Sequence, residues 1–234
     1  MSSYVLVHGA WGGANGFRHV RRLLRAEQHE VSTPNLTGVG ERVHLSSPQV
    51  GLGTHVRDVV NHILYEDLDN IILVGFSYGG FVVTGALEHI AARVSHLVYL
   101  DAFVPSSGET VSSHIGREGR TKVELGQDWL LNGPTREFDS PAEAEWMNAR
   151  RTTQPIGTFT EPVFLSQALE SFPFKRTYIK AKLAPEGDIG NEAFWRAARH
   201  AKDSPAWRYL EIDTNHMVAN NRPDELARIL AEMA

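Results

Sequence analysis

The 234-residue chain contains no cysteine. Disulfides, thiolate metal sites and a cysteine nucleophile are therefore excluded. No apolar run approaches the roughly 18 residues that a membrane-spanning helix needs. The chain begins Met-Ser-Ser and enters a strand-like run at once. It shows neither the charged region nor the apolar stretch of a secretory leader, so a cytoplasmic protein is expected. A large excess of one charge is missing as well. The net charge of −5 gives no basis for binding nucleic acid or an anionic membrane. Gly9 to Gly13 is not a G-x-G-x-x-G fingerprint, and neither a Gly-Lys-Ser/Thr phosphate loop nor a His-Glu-x-x-His pair occurs. The eleven histidines are scattered without ligand spacing. No cofactor and no metal are expected. Internal repeats and low-complexity linkers are also absent.

What is present is ordinary in bulk. Apolar residues make up 42% and charged residues 22% of the chain, the balance of a globular domain able to bury a sizeable core. The informative stretch is Ile71-Ile72-Leu73-Val74-Gly75-Phe76-Ser77-Tyr78-Gly79-Gly80. A buried-strand run feeds Gly-x-Ser-x-Gly, and a helix-like segment from Phe81 to Ile90 follows. Strand, sharp turn and helix are the context of a nucleophile elbow. The serine sits in a strained backbone conformation at the strand end, and small residues at 75 and 79 let strand and helix approach.

The remaining chain alternates. Tyr4 to His8 reads as a strand covered on both faces. Asn15 is placed to cap a helix carrying Phe17, Val20, Leu23 and Leu24. His29 to Pro34 is the next strand, and Leu36 to Gly53 a loop. Val56, Val59, Val60, Ile63 and Leu64 mark a helix over about Thr54 to Glu66. After the elbow unit comes the strand Val94 to Leu100, then Asp101-Ala102-Phe103-Val104-Pro105. Past residue 175 the alternation resumes, with strands at Thr177 to Ala181 and Trp207 to Ile212. Helices are expected at Ala193 to Ala201 and Pro223 to Met233. This pattern predicts an α/β fold with a mostly parallel central sheet flanked by helices. Residues 105–175 break the pattern, being charged and punctuated by glycine and proline. They read as a lid inserted into a core made of residues 1–104 and 176–234.

A serine hydroxyl needs a positioned base to become a nucleophile at neutral pH. His216, in Asp213-Thr214-Asn215-His216-Met217 after the last strand, holds the place of that base. The acid that orients the imidazole is expected in the loop after Thr177 to Ala181. Asp188 is the first candidate there; Asp101, at the tip of the strand after the elbow helix, is the second and Glu186 the third. Backbone N–H donors for a tetrahedral intermediate are expected at Tyr78, directly after the serine, and at Ala10, after His8-Gly9. Gly9, Trp11, Phe76, Phe103, Trp129, Trp146 and Met217 are candidate pocket walls. Arg21-Arg22 and Arg150-Arg151 read as solvated faces.

With these residues in view, the chain resembles the α/β-hydrolase superfamily over nearly its whole length. It is most similar to the small-lid branch of plant methyl-ester hydrolases, hydroxynitrile lyases and related bacterial esterases. The pieces that carry the resemblance are Val5-Leu6-Val7-His8-Gly9-Ala10, Gly75-Phe76-Ser77-Tyr78-Gly79-Gly80, Tyr99 to Pro105, Leu36 to Arg42 and His216. The resemblance implies a triad of Ser77, an Asp and His216, with Ala10 and Tyr78 as oxyanion donors. Two departures stand out. Leu183-Ala184 occupy the positions nearest to where the branch carries its acid. Gly13-Ala14-Asn15-Gly16-Phe17 stands where many relatives have His-Gly-x-Trp. The lyases of the branch carry Thr at the position of Gly9 and Lys at that of Met217, so this chain favours ester hydrolysis. The expectation is a serine hydrolase acting on a small to medium, largely apolar ester through an acyl-enzyme, with a small molecule as its partner. A homodimer stays open. Carbon–carbon hydrolysis, a lyase or lactone-handling enzyme, and a non-enzymatic small-molecule binding protein are the rivals.

Overall fold

The computed structural model describes residues 1–116, 129–183 and 190–234. Six parallel strands form the central sheet: β1 (Ser3–Val7), β2 (Glu30–Ser32), β3 (Ile71–Phe76), β4 (Val94–Leu100), β7 (Lys175–Ala181) and β8 (Arg208–Ile212). Their spatial order is β2-β1-β3-β4-β7-β8. The chain runs outward from β1 to β2 and then crosses back to place β3 on the other side of β1. Such a reversal opens a crevice beyond the carboxyl ends of β1 and β3, where open α/β sheets bind their ligands.

Alternation along each strand feeds two separate cores. Tyr4 and Leu6 of β1 join Ile72, Val74, Val98 and Ile179 on one face. There α1 (Arg18–Ala26) contributes Val20 and Leu24, and α9 (Pro223–Ala231) contributes Leu226 and Leu230. Val5, Val7, Leu73 and Tyr99 point to the other face. They pack against α2 (Leu52–Tyr65), α3 (Gly79–Ile90) and α7 (Asn191–Asp203). A strand covered on both faces must be apolar at nearly every position, which is what the runs in β1, β3 and β4 show. Asn15 does not cap α1. A 3₁₀ turn over Ala14–Phe17 leads into that helix, and Asn15 lies inside the turn.

Between β4 and β7 the chain leaves the sheet. It forms α4 (Val111–His114), β5 (Leu130–Leu131), α5 (Pro141–Asn148), β6 (Gln154–Pro155) and α6 (Gly157–Thr160). β5 and β6 pair antiparallel as a ribbon of their own. Polar contacts tie this segment to the core. Glu143 accepts from Arg18 and from Asn220 Nδ2, Asp139 pairs with Arg222, and Asn215 Nδ2 donates to the Glu137 carbonyl. Among the described residues no helix is long and apolar enough to cross a membrane.

Besides His216, three described histidines are buried in this framework: His8, His55 and His96. Burial, the largest influence on each of these three, pulls their pKa from 6.5 down to about 4. In the unfolded chain they bind protons at about pH 6.5, and in the folded chain only near pH 4. The unfolded state therefore takes up more protons inside that window, so stability present at neutral pH is lost as pH falls through it. The melting temperature is expected to hold above about pH 6.5 and to fall steadily toward about pH 4. A flat melting temperature across that range, followed by differential scanning fluorimetry, would contradict the assignment of neutral buried imidazoles.

Candidate active site

Each candidate side chain stands on a loop at the carboxyl end of a strand. Ser77 follows β3 with φ of 55°, a left-handed conformation that non-glycine residues adopt only under constraint. The constraint is a close fit of backbone on backbone. A Cβ at Gly79 would lie 2.6 Å from the Val7 carbonyl oxygen, and one at Gly80 would lie 2.0 Å from that of Phe103. Only glycine permits α3 to begin this close to β1 and to the chain after β4. Asp101 follows β4, also at positive φ, 39°. His216 lies in the loop between β8 and α8 (Val218–Asn221).

These three residues meet. His216 Nε2 is 3.0 Å from Ser77 Oγ, and His216 Nδ1 is 2.6 Å from Asp101 Oδ2. Both His216 and Asp101 are almost completely buried. The imidazole is held between the rings of Phe76 and Phe194, with centroids 4.7 and 5.1 Å away. Burial opposes ionisation of Asp101. The hydrogen bond and charge of His216, then those of Lys180, overcome it and keep the carboxyl below its ordinary range. Asp188 and Glu186, the other acid candidates, lie outside the described residues. The position at His216 Nδ1 that the sequence reading gave first to Asp188 is filled by Asp101.

The loop after β1 completes the mouth of the site. His8 Nδ1 lies 2.9 Å from the Gly9 carbonyl oxygen, and the Leu36 N–H donates to His8 Nε2 at 3.2 Å. The imidazole is thus the Nδ1–H tautomer, donating to Gly9. In a trans peptide the C=O and the following N–H point opposite ways. Fixing the Gly9 carbonyl therefore also fixes the Ala10 N–H. Among the described residues neither the Ala10 nor the Tyr78 N–H has an acceptor. Trp11 adopts a φ of 59° and is held by the segment between β4 and β7. Its N–H donates to Gln154 Oε1 and its indole to the Leu131 carbonyl, both at 2.9 Å, while its carbonyl accepts from Thr152 N–H at 3.0 Å.

A cavity of about 40 Å³ lies over Ser77. Of the candidate pocket walls, Gly9, Trp11, Phe76 and Met217 line it, together with Ala10. Phe103, Trp129 and Trp146 are not on this wall. The Phe103 ring packs into the core against Phe81 and Phe194. The Trp129 backbone carbonyl bonds to Ile156 beside the β5–β6 ribbon. On α5 it is Met147 that faces inward. Trp146, one residue earlier and so about 100° around the helix, instead receives the guanidinium groups of Arg18 and Arg150 at 3.8 and 4.0 Å. The sequence reading missed Arg136, Arg150, Arg151 and Asn220 as lining residues. Arg150 and Arg151 border the cavity rather than standing only as solvated faces. Gln154 was missed too, and nothing in its local sequence marks it. Lys180 could have been found, since it is a lysine inside the apolar run Thr177-Tyr178-Ile179-Lys180-Ala181.

The α/β hydrolase family model matches residues 4–229, and the chain belongs to that family. The carbendazim hydrolyzing esterase of Nocardioides sp. (strain SG-4G) is 36% identical over the full length of both chains. An α-hydroxynitrile lyase of Arabidopsis thaliana is 31% identical over 48% of this chain and 43% of its own. An extracellular α/β-hydrolase from a Paenibacillus species superposes with a TM-score of 0.80 at 22% identity, covering 100% of this chain and 99% of its own. Within the family the chain is a carboxylic ester hydrolase.

Proposed function

We propose that the protein hydrolyses an ester of a small to medium, largely apolar substrate through an acyl-enzyme, using Ser77, His216 and Asp101. The observation that carries this reading is the continuous contact from Ser77 Oγ through the imidazole to Asp101 Oδ2. Ser77 Oγ attacks the carbonyl carbon as His216 Nε2 takes the hydroxyl proton. Asp101 holds Nδ1–H and offsets the charge of the imidazolium. The Ala10 and Tyr78 N–H groups receive the oxyanion. Collapse expels the alkoxide with the proton from Nε2 and leaves the acyl-enzyme. His216 then deprotonates water, which attacks the acyl carbon and returns Ser77 and the acid.

The likeness to a carbendazim hydrolyzing esterase adds carbendazim to the substrates worth assaying. Cyanohydrin cleavage is disfavoured by packing at Gly9 and by the residue at position 217. A Cβ on Gly9 would lie 3.0 Å from Ser77 Cβ and 3.1 Å from the Phe76 ring, so a threonine there has no room unless Phe76 moves. Met217, on the cavity wall, stands where the lyases of the branch carry lysine.

The segment 105–175 acts as a lid in this reading. Its residues Arg136, Met147, Arg150 and Arg151 form part of the cavity wall over Ser77. Gln154 matters here because it is fully buried and uses both ends. Its Oε1 accepts from Trp11 and its Nε2 donates to Thr158 Oγ1 at 2.8 Å. Gln154→Leu strands the Trp11 N–H. The expected result is a fall of about tenfold in kcat with KM little changed, plus a lower melting temperature. Steady-state kinetics on p-nitrophenyl acetate check it; an unchanged kcat in a folded variant would show that Gln154 has no hold on the oxyanion loop.

The direct test of the function is intact mass after incubation with a fluorophosphonate. One adduct is expected on the wild type, none on Ser77→Ala, and a strongly slowed one on His216→Ala. A wild type that takes no adduct would overturn the hydrolase mechanism and favour a binding protein on the same scaffold.

A further inference from the structure

Among the described residues, Lys180 is the one fully buried cation beside the site for which acyl transfer by the three residues above gives no task. Its side chain is completely buried, on β7 next to the end of β4. Its Nζ donates to Asp101 Oδ1 at 2.6 Å and to the Ala181 carbonyl at 2.6 Å, and it lies 4.4 Å from the centre of the Trp195 ring on α7. Burying an ammonium without need is costly. Here a carboxylate, a carbonyl and an aromatic face all surround it.

We propose that Lys180 is a positioning residue that acts through Asp101, fixing its carboxylate for His216 and weakening the hold of that carboxylate on the imidazolium. The inference rests on Asp101 being the acid of the proposed triad. Asp101 divides its two oxygens. Oδ1 takes Lys180 Nζ and, at 3.3 Å, the Ala181 N–H; Oδ2 takes His216 Nδ1. Two donors on one oxygen, from one strand, leave the carboxylate a single orientation in which Oδ2 faces the imidazole. The charge balance changes too. An isolated Asp–His pair becomes neutral overall when the imidazole gains its proton. With Lys180 in the cluster the same step leaves one positive charge in a buried site, so the imidazolium is less favoured.

Other groups near the cluster do not supply this effect. Among the described residues, His216 and Lys180 are the cations whose charge bears on Asp101. From β7, the Tyr178 hydroxyl donates to the carbonyls of Ala102 and Phe194. From β8, the Tyr209 hydroxyl donates to Glu211, which also pairs with Lys182 at 3.8 Å. α7 presents Trp195, an uncharged ring.

Two substitutions separate orientation from charge. Lys180→Met removes both the donor and the charge; Lys180→Gln keeps a donor without charge. Lys180→Met is expected to lose about 10- to 100-fold in kcat/KM with KM changed by less than about twofold. The acid limb of its kcat/KM profile should move to higher pH by about one unit, because the imidazolium is no longer opposed. Lys180→Gln should show the same displacement of the limb while keeping rates at alkaline pH within about threefold of wild type. In an Asp101→Asn background, Lys180→Met should add less than about twofold, since the group it acts through is gone. Circular dichroism and melting curves establish that each variant is folded. A purely structural lysine would lower the melting temperature and leave the limb in place. An unchanged limb in folded Lys180→Gln or Lys180→Met overturns the inference. The two levels of failure are distinct. If Asp101→Asn reacts with fluorophosphonate at the wild-type rate, the triad reading falls. If Asp101→Asn is slow and both Lys180 variants behave as wild type, the lysine alone has been misjudged.

Discussion

Ser77→Ala is expected to lower turnover of p-nitrophenyl acetate by at least about 10⁴-fold while leaving the protein folded. The size follows from the geometry. Ser77 Oγ is the oxygen 3.0 Å from the imidazole, and no second hydroxyl lines the cavity among the described residues. Alanine removes the attacking atom and leaves only what the N–H donors and binding contribute. Little stability is at risk, because only a hydroxyl is deleted and the left-handed φ of 55° is as awkward for alanine as for serine. Turnover within about tenfold of wild type would mean that another group carries the chemistry.

The second large effect is expected at Asp101→Asn, a loss of about 10³- to 10⁴-fold in kcat. An amide in this place can present its NH₂ or its oxygen to His216 Nδ1. If it presents the NH₂, the imidazole must carry its proton on Nε2, the nitrogen that has to accept from Ser77. If it presents the oxygen, the tautomer survives but the countercharge to imidazolium is gone. Unlike Ser77→Ala, this substitution also endangers the fold. The ammonium of Lys180 loses its carboxylate in a fully buried place, and breaking such a pair costs about 3–5 kcal/mol. Rates should therefore be measured well below the variant's own melting temperature. Asp188→Asn, measured alongside, is expected to stay within about threefold of wild type, as Asp101 already occupies His216 Nδ1. The reverse outcome, a slow Asp188→Asn and a normal Asp101→Asn, would return the acid to the loop after β7.

Much of this was legible in the chain because it is local. The elbow is spelled by five adjacent residues, and the strands by runs such as Ile71 to Val74, whose apolar character both faces of the sheet require. His216 could be found from its place after the last strand. The acid could not, since it depends on which strand tip lies nearest the imidazole. β4 and β7 are neighbours in the sheet, so an acid at the end of either can reach the same nitrogen, and sequence order does not choose between them. The pocket wall was less legible still. Trp146 and Met147 are adjacent in sequence, and which one faces inward depends on the angle at which α5 lies over the core. Gln154 is set against Trp11 across 143 residues, a distance no local pattern spans.

If the segment 105–175 acts as the proposed lid, that last contact would give the enzyme a form of timing. The segment that roofs the cavity also grips Trp11 through its N–H, its carbonyl and its indole, and Trp11 adjoins the Ala10 N–H that awaits the oxyanion. A roof lifted to admit an ester would release the loop that must stabilise its transition state. Only when the roof is down again would the anion site be rebuilt around the substrate. On the proposed lid reading, admission and reaction would be mutually exclusive, and an open enzyme would have little capacity to act on whatever brushes past its serine.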